Sequence, residues 1–110
     1  MTDIEYIASK LSREDILCQL AEEAAELSQA ALKLRRVITG TNPTPVSEST
    51  ATDDLFEELA DVAVARKVYF ELISDEIDGG IRGVEGYVDA ITDAKLRRWV
   101  QRLKEKEERQ

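Results

Sequence analysis

The sequence contains no histidine, and a single cysteine and two prolines occur in its 110 residues. The absence of histidine excludes Ser-His and Cys-His catalysis and zinc sites with histidine ligands. It also argues against a di-iron carboxylate bundle, whose signature includes Glu-x-x-His. Cys18 has no second cysteine to pair with, so neither an internal disulfide nor a cysteine metal cluster can form. Its place on an apolar part of a helix predicts a small core residue.

Aromatic residues make up 5% of the chain, and glycine and proline are scarce, which favours an all-α fold over a β fold. The length predicts one domain, residues 1–110, that buries roughly 65% of its unfolded surface. No apolar run is long enough for a signal peptide or a membrane span, so we expect a cytoplasmic protein without a membrane partner. The net charge of −8 argues against nucleic acid as a partner, and a phosphate-bearing ligand would have to arrive with metal ions.

Local capping patterns mark the helices of the first half of the chain. Thr2 with Glu5 predicts a capping box for a short helix within residues 1–11. Ser12 is the next predicted N-cap, and the first long helix covers about 13–38, with Gly40 as its C-cap.

Two further long helices are predicted in the second half, at about 53–77 and about 84–108. Thr50 or Thr52 is the expected N-cap of the first of these. The sequence Asp-Gly-Gly at 78–80, with glycines at 83 and 86, predicts a flexible turn region between the two helices.

Residues 39–52 contain both prolines and many hydroxyl residues, which predicts a loop. The loop is either a connector between antiparallel helices or a flap beside a functional site, because long loops in compact domains are often functional.

One acidic pattern occurs twice, and the rest of the chain is organised around it. The segment 20–27 and the segment 55–62 both read Leu-x-Glu-Glu-x-Ala-acid-apolar. None of their acidic residues has a Lys or Arg three or four positions away, although such pairs stabilise exposed helices by about 0.2–0.5 kcal/mol. Like-charged neighbours occupy those positions instead. The acidic residues concerned are Glu22, Glu23, Glu26, Glu57, Glu58 and Asp61.

Apolar residues at steps of three and four define a core-facing stripe on each long helix. On a helix that advances about 100° per residue, the acidic residues lie to one side of this stripe, in a sector shared with apolar residues. The first stripe comprises Leu17, Leu20, Ala24, Leu27, Ala31, Leu34 and Ile38, and the second comprises Leu55, Leu59, Val62, Tyr69 and Ile73.

Two unneutralised acidic clusters that border a core need a counter-ion. Mg²⁺ or Mn²⁺ suits a site built from carboxylates alone. The alternative is a pair of solvated acidic faces, but two clusters in the same helical register favour the metal site.

The last helix is the basic one. Its Lys95, Arg97, Arg98 and Arg102 either form a solvated face that balances acidic neighbours, or include one or two residues that contact substrate phosphates. Both earlier long helices also carry a second apolar face. We therefore expect a bundle of four or five helices that is completed by oligomerisation.

The motif Glu22-Glu23-x-x-Glu26, followed by Glu57-Glu58-x-x-Asp61 on a second helix, resembles the MazG-like all-α nucleoside triphosphate pyrophosphohydrolases. The resemblance covers about residues 13–73 well and the last helix weakly. It implies metal-dependent hydrolysis of ribo- or deoxyribonucleoside triphosphates to monophosphate and pyrophosphate by a metal-activated water. It also implies a homodimer or homotetramer.

Carried over to this chain, the resemblance implies Mg²⁺ (or Mn²⁺) ligands at Glu23, Glu26, Glu58 and Asp61. Glu22 would be an auxiliary ligand or a water-orienting base, so that the catalytic residues are Glu22, Glu23 and Glu58. The resemblance places Gln19 beside the nucleotide, and Lys95 and Arg98 are the expected phosphate contacts. The segment between the motifs is longer than in many members, and no acidic or amide residue follows Asp61 at the next turns.

Two other functions compete with this one. The chain could be a non-catalytic helical interaction module, which would gain no stability from Mg²⁺. It could also be a nucleotide sensor that binds without hydrolysis.

Overall fold

The computed structural model describes residues 1–40 and 43–110, in which helices are the regular elements and no β-strand occurs. The all-α prediction is confirmed. None of the helices in the described ranges combines the length and apolar character needed to cross a membrane. The elements are α1 (Asp3–Lys10), α2 (Arg13–Thr39), α3 (Glu48–Ile73), a 3₁₀ turn (Ser74–Glu76) and α4 (Gly80–Arg109).

Both predicted capping boxes are present. The Glu5 amide donates to the Thr2 hydroxyl at 3.1 Å, and the Thr2 amide donates to the Glu5 carboxylate at 3.0 Å. Ser12 and Asp15 exchange the equivalent bonds at 3.1 and 3.4 Å. These reciprocal bonds satisfy amides that a helix start leaves unpaired, which is why α1 and α2 begin where they do.

α2 ends as predicted at Gly40. Gly40 has φ +66°, in the left-handed region, and its amide donates to the Arg36 carbonyl at 2.9 Å. Glycine adopts this conformation without the steric cost that a Cβ imposes, so it stops the helix cleanly.

α3 begins at Glu48, earlier than predicted. The predicted end of the loop at residue 52 is therefore wrong. The Ser47 hydroxyl accepts from the Thr50 amide at 3.1 Å, and the Ser47 carbonyl accepts from the Ala51 amide at 3.0 Å. Ser47 therefore acts as the cap in place of Thr50 or Thr52, because its hydroxyl is the one positioned to accept an amide three residues on. Positions 41 and 42 of the predicted loop lie outside the described residues.

α4 begins at Gly80 and includes Gly83 and Gly86, so the predicted turn region across these glycines is wrong. The turn is confined to 77–79. A Cβ on Gly83 would overlap the backbone carbonyl oxygen of Asp78, whereas one on Gly86 would meet open space. Gly83 is therefore required by a close backbone approach rather than by flexibility.

The contacts divide the chain into two compact units, Met1–Leu72 and Ile73–Gln110. The first unit contains α1, α2 and α3, and the second contains the 3₁₀ turn and α4. The prediction of one domain stays a prediction.

The buried face of the first unit differs from the predicted apolar stripes. Its most buried residues are Ile16 and Ala30 on α2 and Ala51, Ala65 and Val68 on α3.

Several residues of the predicted stripes are instead exposed in this chain, among them Leu17 (43% exposed), Ile38 (59%) and Leu59 (46%). Cys18 is also exposed, so its prediction as a core residue is wrong. Both helices are apolar over much of their circumference, and periodicity alone does not decide which apolar side faces a neighbour.

The two helical glycines of α4 provide a matched pair of substitutions. We expect Gly83→Ala to destabilise the protein by about 1–3 kcal/mol, because the new methyl group would force the Asp78 carbonyl to move. Gly86→Ala should stabilise it by up to about 1 kcal/mol, because alanine favours the helix and meets no neighbour. Urea unfolding of both variants measures the difference. Equal stability of the two variants would contradict the close approach.

Candidate metal centre

Two carboxylates lie in the middle of the buried face of the first unit. Glu23 is seven residues after Ile16 and seven before Ala30 on α2. Glu58 has the same spacing from Ala51 and Ala65 on α3. Seven residues are close to two turns of a helix, so each glutamate lies on one line with the buried residues before and after it.

These two glutamates form a cluster with Glu26 and Asp61, three residues further along each helix. Each of the four side chains offers one carboxylate oxygen, and these oxygens all lie within 4.8 Å of one another. Glu23 and Glu58 are half-buried, whereas Glu26 and Asp61 are exposed. The structure thus brings together the four residues predicted as metal ligands, which we call the carboxylate quartet. Their role as ligands stays a prediction.

Two oxygens of the quartet are buried without a partner. Oε2 of Glu23 and Oε2 of Glu58 are inaccessible to solvent and accept no hydrogen bond. Across the described residues, no ion pair involves any member of the quartet. A buried polar atom that is left unpaired costs free energy, and a charged one costs more. A cation bound to the quartet would compensate both oxygens.

The pKa of Glu23 is raised above its ordinary value. Burial contributes most, because it disfavours the charged form, and the negative charge of Glu26 comes next. The charge of Asp61 also raises the pKa of Glu23. The Gln19 amide, which donates to Oε1 of Glu23 at 2.6 Å, partly offsets these effects by lowering that pKa. The carboxylate therefore carries unfavourable interactions in the folded, metal-free protein.

Two cavities adjoin the quartet within the first unit. Glu26 and Glu58 line the larger cavity, which has a volume of about 530 Å³. Glu23 and Asp61 line the smaller cavity, which has a volume of about 270 Å³.

Two basic residues that the sequence pattern does not mark as site residues line the larger cavity. Lys33 and Arg36 line it from α2, and Nζ of Lys33 lies 3.8 Å from Oδ2 of Asp54 on α3. The available signal was helical register, since Lys33 follows Glu26 by seven residues and so lies two turns beyond it on the same side.

The smaller cavity is mostly apolar, and Gln19 lies in its wall as well as contacting Glu23. Glu22, predicted as an auxiliary ligand or base, is exposed and is not part of the quartet. The Cys18 thiol lies 3.8 Å from one of its carboxylate oxygens. The role of Glu22 and the nucleotide contact of Gln19 stay predictions.

Lys95 and Arg98 belong to α4 and to the second unit. They line a cavity of about 450 Å³ there, with Trp99 and Arg102 among their neighbours. Their contact with substrate phosphates stays a prediction.

No protein-family model, no curated protein and no solved structure matches this chain. The similarity to MazG-like enzymes therefore depends on the paired acidic motif alone.

We expect Glu23→Gln to stabilise the metal-free protein at neutral pH. The raised pKa means that the folded state binds the proton more tightly than the unfolded state, so the ionised carboxylate opposes folding above its folded-state pKa. The gain over wild type should decline as the pH falls through that pKa, because glutamic acid and glutamine are then both neutral.

Thermal unfolding of both proteins in EDTA from pH 7 to pH 3.5 measures this difference. Glu107→Gln, at an exposed position of α4, is the control for the loss of one negative charge. A Glu23→Gln variant less stable than wild type at pH 7 would contradict the raised pKa.

Proposed function

We propose that this chain is a metal-dependent hydrolase of MazG-like type that converts nucleoside triphosphates to monophosphate and pyrophosphate. The observation that carries the proposal is the pair of buried, unpartnered oxygens of Glu23 and Glu58 inside the quartet. The paired motif on α2 and α3 supports the reaction type.

The quartet fits Mg²⁺ or Mn²⁺. All four donors are carboxylate oxygens, which these hard cations prefer, and Glu23 and Glu58 each have one buried oxygen without a partner. When bound, the metal supplies neutralisation of phosphate charge and acidification of a coordinated water. Glu23, Glu26, Glu58 and Asp61 would hold it.

The other side chains near the quartet have supporting roles. The Gln19 amide, bonded to Oε1 of Glu23, fixes the orientation of that carboxylate so that Oε2 points away from the bond. Glu22, exposed on α2, is the proposed general base for an attacking water.

We also propose that the protein is a homodimer or homotetramer. The large apolar residues Leu32, Ile38 and Phe56 are between 52% and 64% exposed in the single chain, and a partner subunit would cover such residues.

The same exposed residues favour the competing function of a non-catalytic interaction module. A scaffold, however, has no use for unpartnered buried carboxylates.

The decisive test of the reaction is incubation of the purified protein with each common ribo- and deoxyribonucleoside triphosphate, in Mg²⁺, Mn²⁺ or EDTA, followed by separation of the products. Metal-dependent monophosphate and pyrophosphate would establish the function. Diphosphate and phosphate would mean a different phosphohydrolase. Nucleotide binding without turnover would indicate a sensor.

The two buried carboxylates should be essential for turnover. We expect Glu23→Gln and Glu58→Gln each to reduce the rate of hydrolysis to background, because each removes a charged metal ligand, while helicity by circular dichroism is unchanged. Glu107→Gln should retain wild-type activity. Wild-type rates in both quartet variants would remove the proposed site.

Millimolar Mg²⁺ should raise the melting temperature of the wild-type protein. A ligand present at about 100 times its Kd stabilises the native state by about 2.7 kcal/mol. A scan in NaCl of equal ionic strength separates this effect from charge screening. Glu58→Gln should lose the shift, and an identical shift in that variant would place the metal elsewhere.

A further inference from the structure

The carboxylate quartet is shared between two cavities that have no lining residue in common. Each cavity takes one carboxylate from α2 and one from α3: Glu26 and Glu58 line the larger, and Glu23 and Asp61 line the smaller. Because the four carboxylates form one cluster, a ligand long enough to occupy both cavities would lie beside the quartet.

The larger cavity has the chemistry of a metal-dependent polyphosphate site. Four acidic and two basic residues line it, so the cavity repels a bare polyanion. Divalent cations would reverse that balance, and the ammonium of Lys33 and the guanidinium of Arg36 would then be the donors for phosphate oxygens. The acidic residues are Glu26, Asp54, Glu57 and Glu58.

Lys33 is available for such a contact. Its side chain is about one-third exposed, and its distance of 3.8 Å to Asp54 is near the upper limit for an ion pair. A partly exposed pair at this separation contributes little to stability. Exchange of Asp54 for a phosphate therefore costs little.

The smaller cavity has the opposite character. Apart from Glu23 and Asp61, its only polar side chain is the Gln19 amide. Its volume of about 270 Å³ is below the roughly 300–1,000 Å³ of sites that enclose a whole drug-sized ligand, so it fits a fragment such as one ring system. Its apolar wall consists of Ile7, Leu11, Ile16, Val64, Ala65 and Val68.

We infer that a nucleoside triphosphate lies across the quartet, with its pyrophosphate half beside Lys33 and Arg36 and its base in the cavity beside Gln19 and Val64. This inference rests on the proposed function. It assigns the pyrophosphate-binding cations to α2 of the same unit that carries the quartet.

The two halves can be tested by calorimetric binding of each product without turnover. In Mg²⁺, Arg36→Gln should weaken the binding of inorganic pyrophosphate roughly ten-fold or more, because it removes a charged hydrogen-bond donor. The binding of nucleoside monophosphates should change little. Arg35→Gln is the matched control, since Arg35 is adjacent on α2 and exposed and does not line the cavity.

Val64→Phe should give the reverse result. Val64 is 56% exposed at the smaller cavity, so the larger ring can be accommodated by the fold while it obstructs the cavity. We expect weaker binding of nucleoside monophosphates and unchanged binding of pyrophosphate. Ala63→Phe, at the adjacent exposed position outside the cavity, is the control, and size-exclusion chromatography checks that both variants keep the wild-type oligomeric state.

Separate loss of pyrophosphate binding in one variant and of monophosphate binding in the other supports the inference. Binding of pyrophosphate that is equal in EDTA and Mg²⁺, equal losses in Arg35→Gln and Arg36→Gln, or no product binding by the wild type would overturn it. The proposed function fails by a different result, the absence of triphosphate turnover. A protein that turns over triphosphate but shows no separation of the two product sites would refute this inference alone.

Discussion

The packing of like-charged carboxylates between two helices is the constraint on which the first unit depends. α2 and α3 each place a glutamate at the centre of the face they bury, between residues that are mostly alanine. Small neighbours allow the two helices to approach closely, which brings four carboxylate oxygens within 4.8 Å. The repulsion opposes folding, so this part of the fold is less stable without a cation than an apolar face of the same shape would be.

The antiparallel register of α2 and α3 determines what surrounds the quartet. Glu26 of α2 lies beside Glu58 of α3. Lys33, two turns after Glu26, lies beside Asp54, one turn before Glu58. The same register therefore places basic residues on one side of the quartet and an apolar cavity, to which α1 contributes Ile7, on the other. Shifting either helix by one residue would rotate its glutamate by about 100° and separate the charges. The caps at Ser12, Gly40 and Ser47, which fix where the two helices begin and end, thus contribute indirectly to the site.

Features that depend on local hydrogen bonds could be predicted from the sequence, and features that depend on contact between helices could not. The capping boxes at Thr2 and Ser12 join residues three apart in the sequence. The spacing along each helix likewise places the two quartet residues of that helix close together. The apolar pattern does not predict which face is buried, because α2 and α3 are apolar on more than one side. The linear pattern places Gly83 in a turn, because it does not reveal the close approach of the Asp78 carbonyl. The spacing of Lys33 from Glu26 places both residues on one side of α2, but the cavity that Lys33 shares with Asp54 depends on the register of both helices.

Exposed apolar residues and unpartnered carboxylates do not discriminate equally between the candidate functions. Leu32 and Phe56 would be covered by a partner subunit in an enzyme and in a scaffold alike, so their exposure favours assembly and nothing more specific. The unpartnered Oε2 atoms of Glu23 and Glu58, unlike the exposed apolar residues, discriminate between an enzyme and a scaffold. Replacing Glu23 by glutamine would relieve the repulsion and keep the helix, so a scaffold would gain stability from that change. A cation bound to the quartet, as proposed, would give the carboxylates at both positions a partner.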